Sequence, residues 1–232
     1  RKPKEFMSEL FDSFAETFDD KLVNDLKYVV PTLVGDAAKS FISRYNAVLD
    51  AGCGTGLAGR HLRPLIAENG VMIGVDASQN MLDIAAKCTT HRGCDLDKNA
   101  VIEGVEEPLY NDLLFMDLED MTFQNTLANQ GGNIQGFDLI VAADVFVYFG
   151  SLDKVLKTFA QLSTKGAKLI FSCERATEDE APLGWRLLSS GRFSHSKWHV
   201  LDAATSSGYN LVSYEEIVPR IERGEEVSGH LF

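Results

Sequence analysis

The sequence predicts an α/β fold, a doubly wound and mostly parallel sheet with helices on both faces and a helical extension ahead of it. Short apolar runs recur at 47–51, 71–75, 112–116, 137–142 and 167–173. They lack the polar alternation of a half-exposed strand, as strands buried on both faces do. Segments of helical period lie between them, near 57–68, 78–88, 118–128 and 152–163, and such repeated β-α units demand a parallel sheet covered on both sides. A length of 232 residues with 45% apolar and 24% charged residues suits one large domain, or a domain with a helical extension.

The elements follow in order. Phe6, Met7, Leu10, Phe11, Phe14, Phe18, Leu22, Leu26, Val29 and Val30 recur at helical spacing, which predicts one or two amphipathic helices over about 5–29. Pro31 opens a further helix carrying Val34, Ala37, Ala38, Phe41 and Ile42. Residues 89–111, rich in Gly, Asp, Asn and Glu, read as a loop insertion. Ser151 is a candidate N-cap for the helix near 152–163. Beyond 173 a polar loop leads through Trp185-Arg186-Leu187-Leu188 to a helix over about 197–207, closed by Gly208. The last strand-like runs, Asn210–Val218 and Val227–Phe232, are joined by a loop short enough for an antiparallel hairpin.

Composition narrows the partners. A net charge of −12 repels phosphate backbones and forgoes counterion release, which argues against nucleic acid. No apolar stretch reaches the length of a membrane span. An amphipathic segment rather than an apolar signal core follows Arg1-Lys2-Pro3-Lys4. Cys53, Cys88, Cys94 and Cys173 lack framework spacing, which suits a reducing, cytoplasmic setting. Cys88-x-x-His91-x-x-Cys94 invites a metal reading, but no second Cys/His pair lies nearby, so it reads as a solvated loop and no metal is expected. The chain has no initiator Met and stops abruptly at Leu231-Phe232, which fits either a fragment of a longer protein or a trimmed chain.

The most informative stretch is Val48-Leu49-Asp50-Ala51-Gly52-Cys53-Gly54-Thr55-Gly56. An apolar strand meets an acid, and alternating glycines then make the sharp turn into a helix. Glycine suits such a turn because it tolerates positive φ and lets a ligand approach the backbone. Asp76 stands twenty residues past Gly56, at the end of the next strand, where a carboxylate usually grips a nucleotide ribose. These features point to a nucleoside cofactor. Gly54-Thr55-Gly56-Leu57-Ala58-Gly59 also matches the dinucleotide glycine spacing, so a nicotinamide oxidoreductase remains an alternative.

That stretch resembles the first motif of class I S-adenosylmethionine-dependent methyltransferases. Asp76, Asp117 in Leu114-Phe115-Met116-Asp117-Leu118, and Phe137-Asp138-Leu139-Ile140-Val141 match that family's positions after the second and third strands and along the fourth. The resemblance covers about 45–232. It implies a Rossmann-like, seven-stranded sheet with an antiparallel C-terminal strand over 46–232, and residues 1–45 as a helical extension or lid. Phe11–Asp19, Ala143–Gly150 and Gly191–Ser196 resemble a narrower group found fused to tetratricopeptide repeats, so the full-length chain is expected to carry such repeats.

The resemblance further implies a donor site. The Gly52, Cys53, Gly54 and Gly56 turn would take the amino-acid portion of S-adenosylmethionine, and Asp50 would orient the turn or reach the ammonium through water. Asp76 would accept from both ribose hydroxyls, Asp117 from the adenine amino group, and Met81 would pack on the adenine. Ala77, Leu118 and Ala143 adjoin these positions. On the acceptor side, Ala142-Ala143-Asp144-Val145 is neither the Asn/Asp-Pro-Pro-aromatic nor the Pro-Cys pattern of base and glutamine methylation. Asp144 and Tyr148 fall where the carboxyl edge of the sheet should open, although Asp144 equally suits a helix cap. His195 with Arg192 is a candidate base and anion anchor, and Trp185, Phe193 and Trp198 are candidate pocket walls. Phe14 or Phe18 would close over the donor. The expected function is methyl transfer to a small molecule or a protein side chain, the alternative a non-catalytic scaffold or assembly factor on the same fold.

Overall fold

A computed structural model of the chain describes residues 15, 18–42, 44–91, 106–128, 130 and 134–232. A helical turn at Phe18–Asp20 runs into a π-helical turn at Lys21–Asp25. The chain then bends at Lys27, which takes a left-handed φ of 51°. The sequence-predicted N-terminal helix therefore stops short of 29, and residues 5–14, 16 and 17 of it fall outside the described residues. Helix α1 (Val30–Phe41) begins with Pro31 in its first turn, where a missing N–H costs nothing, and buries Val30, Val34 and Ala38.

The sheet then unfolds in the expected alternation: β1 (Tyr45–Ala51), α2 (Gly59–Leu62), β2 (Ile66–Asp76), α3 (Gln79–Ala85), β3 (Asp112–Phe115), α4 (Phe123–Thr126), β4 (Phe137–Ala142), α5 (Asp153–Leu162) and β5 (Ser163–Ala176). Strands β6 (Trp185–Leu187) and β7 (Phe193–Ser196) precede α6 (Lys197–Ser206). The chain closes with β8 (Glu215–Ile217), β9 (Ile221–Glu222), β10 (Glu225–Glu226) and β11 (Gly229–Leu231). The strand order β3-β2-β1-β4-β5-β11-β8 contains the expected seven strands, parallel except for β11, which runs antiparallel to both neighbours. Strand β7 with β6 joins the same sheet at the end of β5 to make nine.

Successive residues of each central strand feed opposite layers, as a period of two requires. Leu49, Ile73, Ile140 and Phe171 enter one core with α5 and α6. Val48, Met72, Leu139 and Ile170 enter the other, where α1, α2 and α3 pack. The sheet is therefore doubly wound. Among the described residues no helix is long and apolar enough to cross a membrane.

The structure corrects several boundaries. The helix expected over 57–68 is only Gly59–Leu62 plus a 3₁₀ turn at Arg63–Leu65, because Pro64 has no N–H to donate to a continuing α-helix, although Arg63 itself keeps helical dihedrals. Residues 66–70 instead extend β2. The helix expected over 118–128 is split into a 3₁₀ turn at Leu118–Asp120 and α4, because the Thr122–Asn125 capping box starts a new helix. The N-cap position of α5 is Leu152 rather than Ser151, although Ser151 Oγ still accepts from the Asp153 N–H at 3.3 Å. Within the C-terminal hairpin, β9 and β10 form a small ladder across Arg223 and Gly224, both at positive φ as a tight primed turn needs. The stretch read as irregular before α6 is itself a hairpin, and β7 lies parallel to the end of β5.

Candidate functional site

The order of the strands reverses between β1 and β4, and a ligand crevice opens at the carboxyl ends there. A cavity lies at this point. It is lined from β1 and its turn by Asp50, Gly52, Cys53 and Gly54, from the end of β2 by Asp76 and Ala77, and from further along by Met81, Asp117 and Leu118. Ala143, Asp144, Tyr148, Arg192 and Arg220 line its opposite end, and Phe18, Leu22 and Tyr28 close it from the N-terminal side. A larger groove of about 730 Å³ lies between α1, α6 and the first half of β5. None of the described buried polar atoms left without a hydrogen-bond partner belongs to it, whereas two of them, on Asp50 and Asp144, belong to the first cavity. Unsatisfied buried groups are costly enough to need a reason, so the first cavity is the functional candidate.

Main-chain bonds make the glycine end. Gly52 N and Cys53 N both donate to Val75 O, at 2.7 and 3.0 Å, which folds the turn back onto β2. Gly54 N donates to Asp76 Oδ2 at 2.8 Å, and Ser78 N to Asp76 Oδ1 at 2.9 Å. One carboxylate thus ties the turn to the start of α3. Gly52 sits at φ 70°, and a Cβ there would lie 2.4 Å from Val145, so both conformation and space demand glycine. At Gly54 the nearest atom to such a Cβ is 3.9 Å away on Phe18, which leaves the backbone open to the cavity. Gly56, also at positive φ, faces Tyr110 instead.

Asp50 lies beneath this turn, 1% exposed. Its Oδ2 accepts from the Tyr110 hydroxyl at 2.7 Å, while Oδ1 has no hydrogen-bond partner. Burial pushes its carboxyl up to about 7, the Tyr110 bond opposing and the Asp76 charge assisting. A buried carboxylate with one idle oxygen fits a cationic or N–H-bearing ligand group. Asp117 caps the 3₁₀ turn through Oδ1 to Glu119 N at 2.9 Å and also lines the cavity, so its capping and ligand-facing positions coexist. Met81 is 1% exposed and held by the Ser78 cap of α3.

Charged side chains make the other end. Asp144 adopts φ 57°, its N–H donating to Ser172 Oγ at 2.8 Å. Its Oδ2 accepts from Arg220 Nη1 at 2.8 Å, and Oδ1 has no partner. Arg220, 1% exposed, also pairs with Glu174 and, at 3.5 Å, with Glu222. Arg192 pairs with Glu222 at 2.7 Å and Glu174 at 3.7 Å, and hydrogen-bonds Tyr148. Burial pushes the Tyr148 phenol up to about 12.

His195 stands outside the cavity lining. It is fully buried on β7, and Nε2 lies 2.9 and 3.0 Å from the carbonyls of Phe149 and Gly150, so that nitrogen carries the proton and donates. Burial holds its pKa down at about 4, so the ring is neutral and braces the segment after β4 rather than facing a ligand. Trp185 packs on His199 at 4.9 Å between ring centroids, and with Phe193 and Trp198 also stands outside the lining. Phe18 lines the cavity, while Phe14 lies outside the described residues. Cys88 is disulfide-bonded, which departs from the reduced cysteines expected, and Cys94 lies outside the described residues.

Tyr28, Tyr110 and Arg220 are site residues that the sequence reading missed. Each stands alone in its segment, and no spacing marks it.

A family model described as a methyltransferase domain matches residues 49–169. Malonyl-[acyl-carrier protein] O-methyltransferase of Priestia megaterium (strain DSM 319 / IMG 1521) is 24% identical over 219 residues, 92% of this chain and 65% of that protein. The chain thus spans just under two thirds of that relative's length. Among solved structures, the DhpI–SAH complex superposes with a TM-score of 0.59 at 15% identity, over 98% of this chain and 95% of that one. Magnesium protoporphyrin IX methyltransferase from Synechocystis PCC 6803 with bound SAH gives 0.55 at 16% identity, over 87% and 80%. At these identities the structural likeness speaks for the fold.

Proposed function

The chain belongs to the methyltransferase-domain family, and on that premise we propose that it transfers the methyl group of S-adenosylmethionine to a carboxylate oxygen of a small-molecule acceptor. The observation that carries this reading is a single cavity running from Gly54 and Asp76 to Asp144, Arg192 and Arg220. Family membership favours a methyl donor over the dinucleotide that the glycine spacing also allowed.

The idle Asp50 Oδ1 and the open backbone at Gly54 fit the ammonium and the main chain of the donor's amino-acid portion. In this reading Gly52, Cys53 and Gly56 shape that cradle and Asp76 takes the ribose hydroxyls. Asp117 takes the adenine amino group, Met81 and Leu118 its faces, and Ala77 and Ala143 complete the walls. When bound, the donor supplies a methyl on a positively charged sulfur, already activated, so the chain must align the acceptor and exclude water.

A carboxylate acceptor is ionised at neutral pH and needs no general base. That suits an end where Asp144 is ion-paired to Arg220 and His195 is turned against carbonyls. Arg192 and Arg220 both line the cavity, where Asp144, Glu174 and Glu222 already pair with them. A guanidinium has five N–H donors, and an acceptor carboxylate would share those that face the cavity. The relative named for O-methylation of a malonyl group supports the same chemistry. Asp144 and Tyr148 then orient the acceptor, while His195 supports them from behind. A protein side-chain carboxylate is the second form of this acceptor. The narrower likeness to methyltransferases fused to tetratricopeptide repeats belongs to the same proposal, carried by Ala143–Gly150 and Gly191–Ser196. So does a cytoplasmic setting.

Calorimetric titration with S-adenosylhomocysteine tests the donor half. Binding is expected, weakened about 10- to 100-fold by Asp76→Ala through loss of charge-assisted hydrogen bonds. An unbound product, or equal affinity in the variant, defeats the reading. Labelled donor with a panel of carboxylic acids tests the other half, since a scaffold would bind donor and label nothing.

A further inference from the structure

Tyr28 is a polar side chain of the cavity to which methyl transfer as proposed gives no role. Its hydroxyl has no hydrogen-bond partner among the described residues, although the phenol lines the cavity. The groups whose charge it feels are Asp144, Arg220, Tyr148 and Asp50, so it stands between the glycine end and the arginine end. Burial, reinforced by Asp144, raises its pKa well above the ordinary phenol value, which keeps the O–H as a donor.

The backbone delivers it there deliberately. Lys27 takes the left-handed conformation, and Tyr28 N donates to Leu22 O at 3.0 Å, which turns the chain inward. Two main-chain bonds then bracket the residue: Ile221 N to Leu26 O at 2.7 Å, and Val29 N to Pro219 O at 3.1 Å. The same bonds bracket Arg220, so Tyr28 and Arg220 reach the cavity lining together from distant parts of the chain.

We propose that the Tyr28 hydroxyl contacts the acceptor, donating a hydrogen bond to the carboxylate oxygen that is not methylated, and so selects oxyacids over amines. An amine takes the methyl only as the neutral base, and its single lone pair is spent on that bond, leaving none for this phenol O–H. A carboxylate, by contrast, offers its second oxygen beside the reacting one. The proposal rests on the carboxylate reading above.

The test compares wild type and Tyr28→Phe with S-adenosylmethionine. The probes are acetate, malonate, glutarate and benzoate, each beside the primary amine of matching carbon skeleton, and methyl products are read by mass. Wild type is expected to favour the acids. Tyr28→Phe keeps the ring, and is expected to hold its melting temperature and its S-adenosylhomocysteine affinity. Its kcat/KM toward the acids should fall about 10- to 100-fold, the range for one hydrogen bond to a charged group. Unchanged kcat/KM in the variant overturns the proposal, as does weaker S-adenosylhomocysteine binding, which would put Tyr28 on the donor. A wild type that methylates the amines and none of the acids fails the carboxylate reading itself, and the proposal with it.

Discussion

The glycine end and the arginine end of one cavity are built by opposite means. Between Asp50 and Ser78 the chain makes a site from backbone: Gly52 N and Cys53 N hold Val75 O, and Asp76 gathers the N–H groups of Gly54 and Ser78. The arginine end is built from side chains, with Asp144, Glu174, Arg192, Arg220 and Glu222 arriving from well-separated segments. A backbone site tolerates little change in shape and serves a ligand common to a whole family. A side-chain site is rebuilt by a few substitutions, which is where an acceptor preference is most easily changed.

The contrast makes Arg220 the residue whose loss costs most. Arg220→Met leaves Asp144, Glu174 and Glu222 facing one another with Arg192 alone, and removing one partner of a buried ion pair costs about 3–5 kcal/mol. Urea denaturation should show that loss, with a lower midpoint and an unchanged slope. A stable variant would mean that the cluster is dispensable to the fold. His195→Gln comes next. Losing the bonds to Phe149 and Gly150 should cost about 1–3 kcal/mol, with S-adenosylhomocysteine affinity kept. If methyl transfer vanished while stability held, His195 would belong to the chemistry after all.

The smallest effect lies at the glycine end. Burial raises the Asp50 carboxyl to about 7, so in the free protein it is largely protonated below that pH. The raised value means that this group favours the folded state at low pH and loses that contribution as pH rises from about 4 through 7. A bound ammonium favours the ionised form, so binding should expel a proton below pH 7 and tighten with rising pH until it flattens above. Calorimetry in buffers of different ionisation enthalpy reads that proton directly. Asp50→Asn should abolish both the release and the slope.

The same contrast explains what the sequence made legible. Val48–Gly56 and Asp76 could be read because their geometry is local, and glycine spacing after an apolar strand has few other uses. The alternating cores could be read from Val48-Leu49 and Met72-Ile73 for the same reason. The short helix after the turn was misjudged because Pro64 overrode a helical pattern that continued past it. Arg220 and Tyr28 could not be read, since nothing near either one announces a partner on the far side of the chain. His195 was offered with Arg192 as a candidate base, and the β6–β7 hairpin that buries it leaves no short-range trace in the sequence.

The paired bonds at Leu26–Ile221 and Val29–Pro219 have one further consequence. They fasten an early segment to a late one and so close most of the polypeptide into a loop whose seam is the cavity wall. Traffic into the cavity on that side has to unzip main chain, not merely swing a rotamer. Each rung needs an N–H, so Val29 and Ile221 are positions where proline would open the seam while leaving every side chain inside untouched.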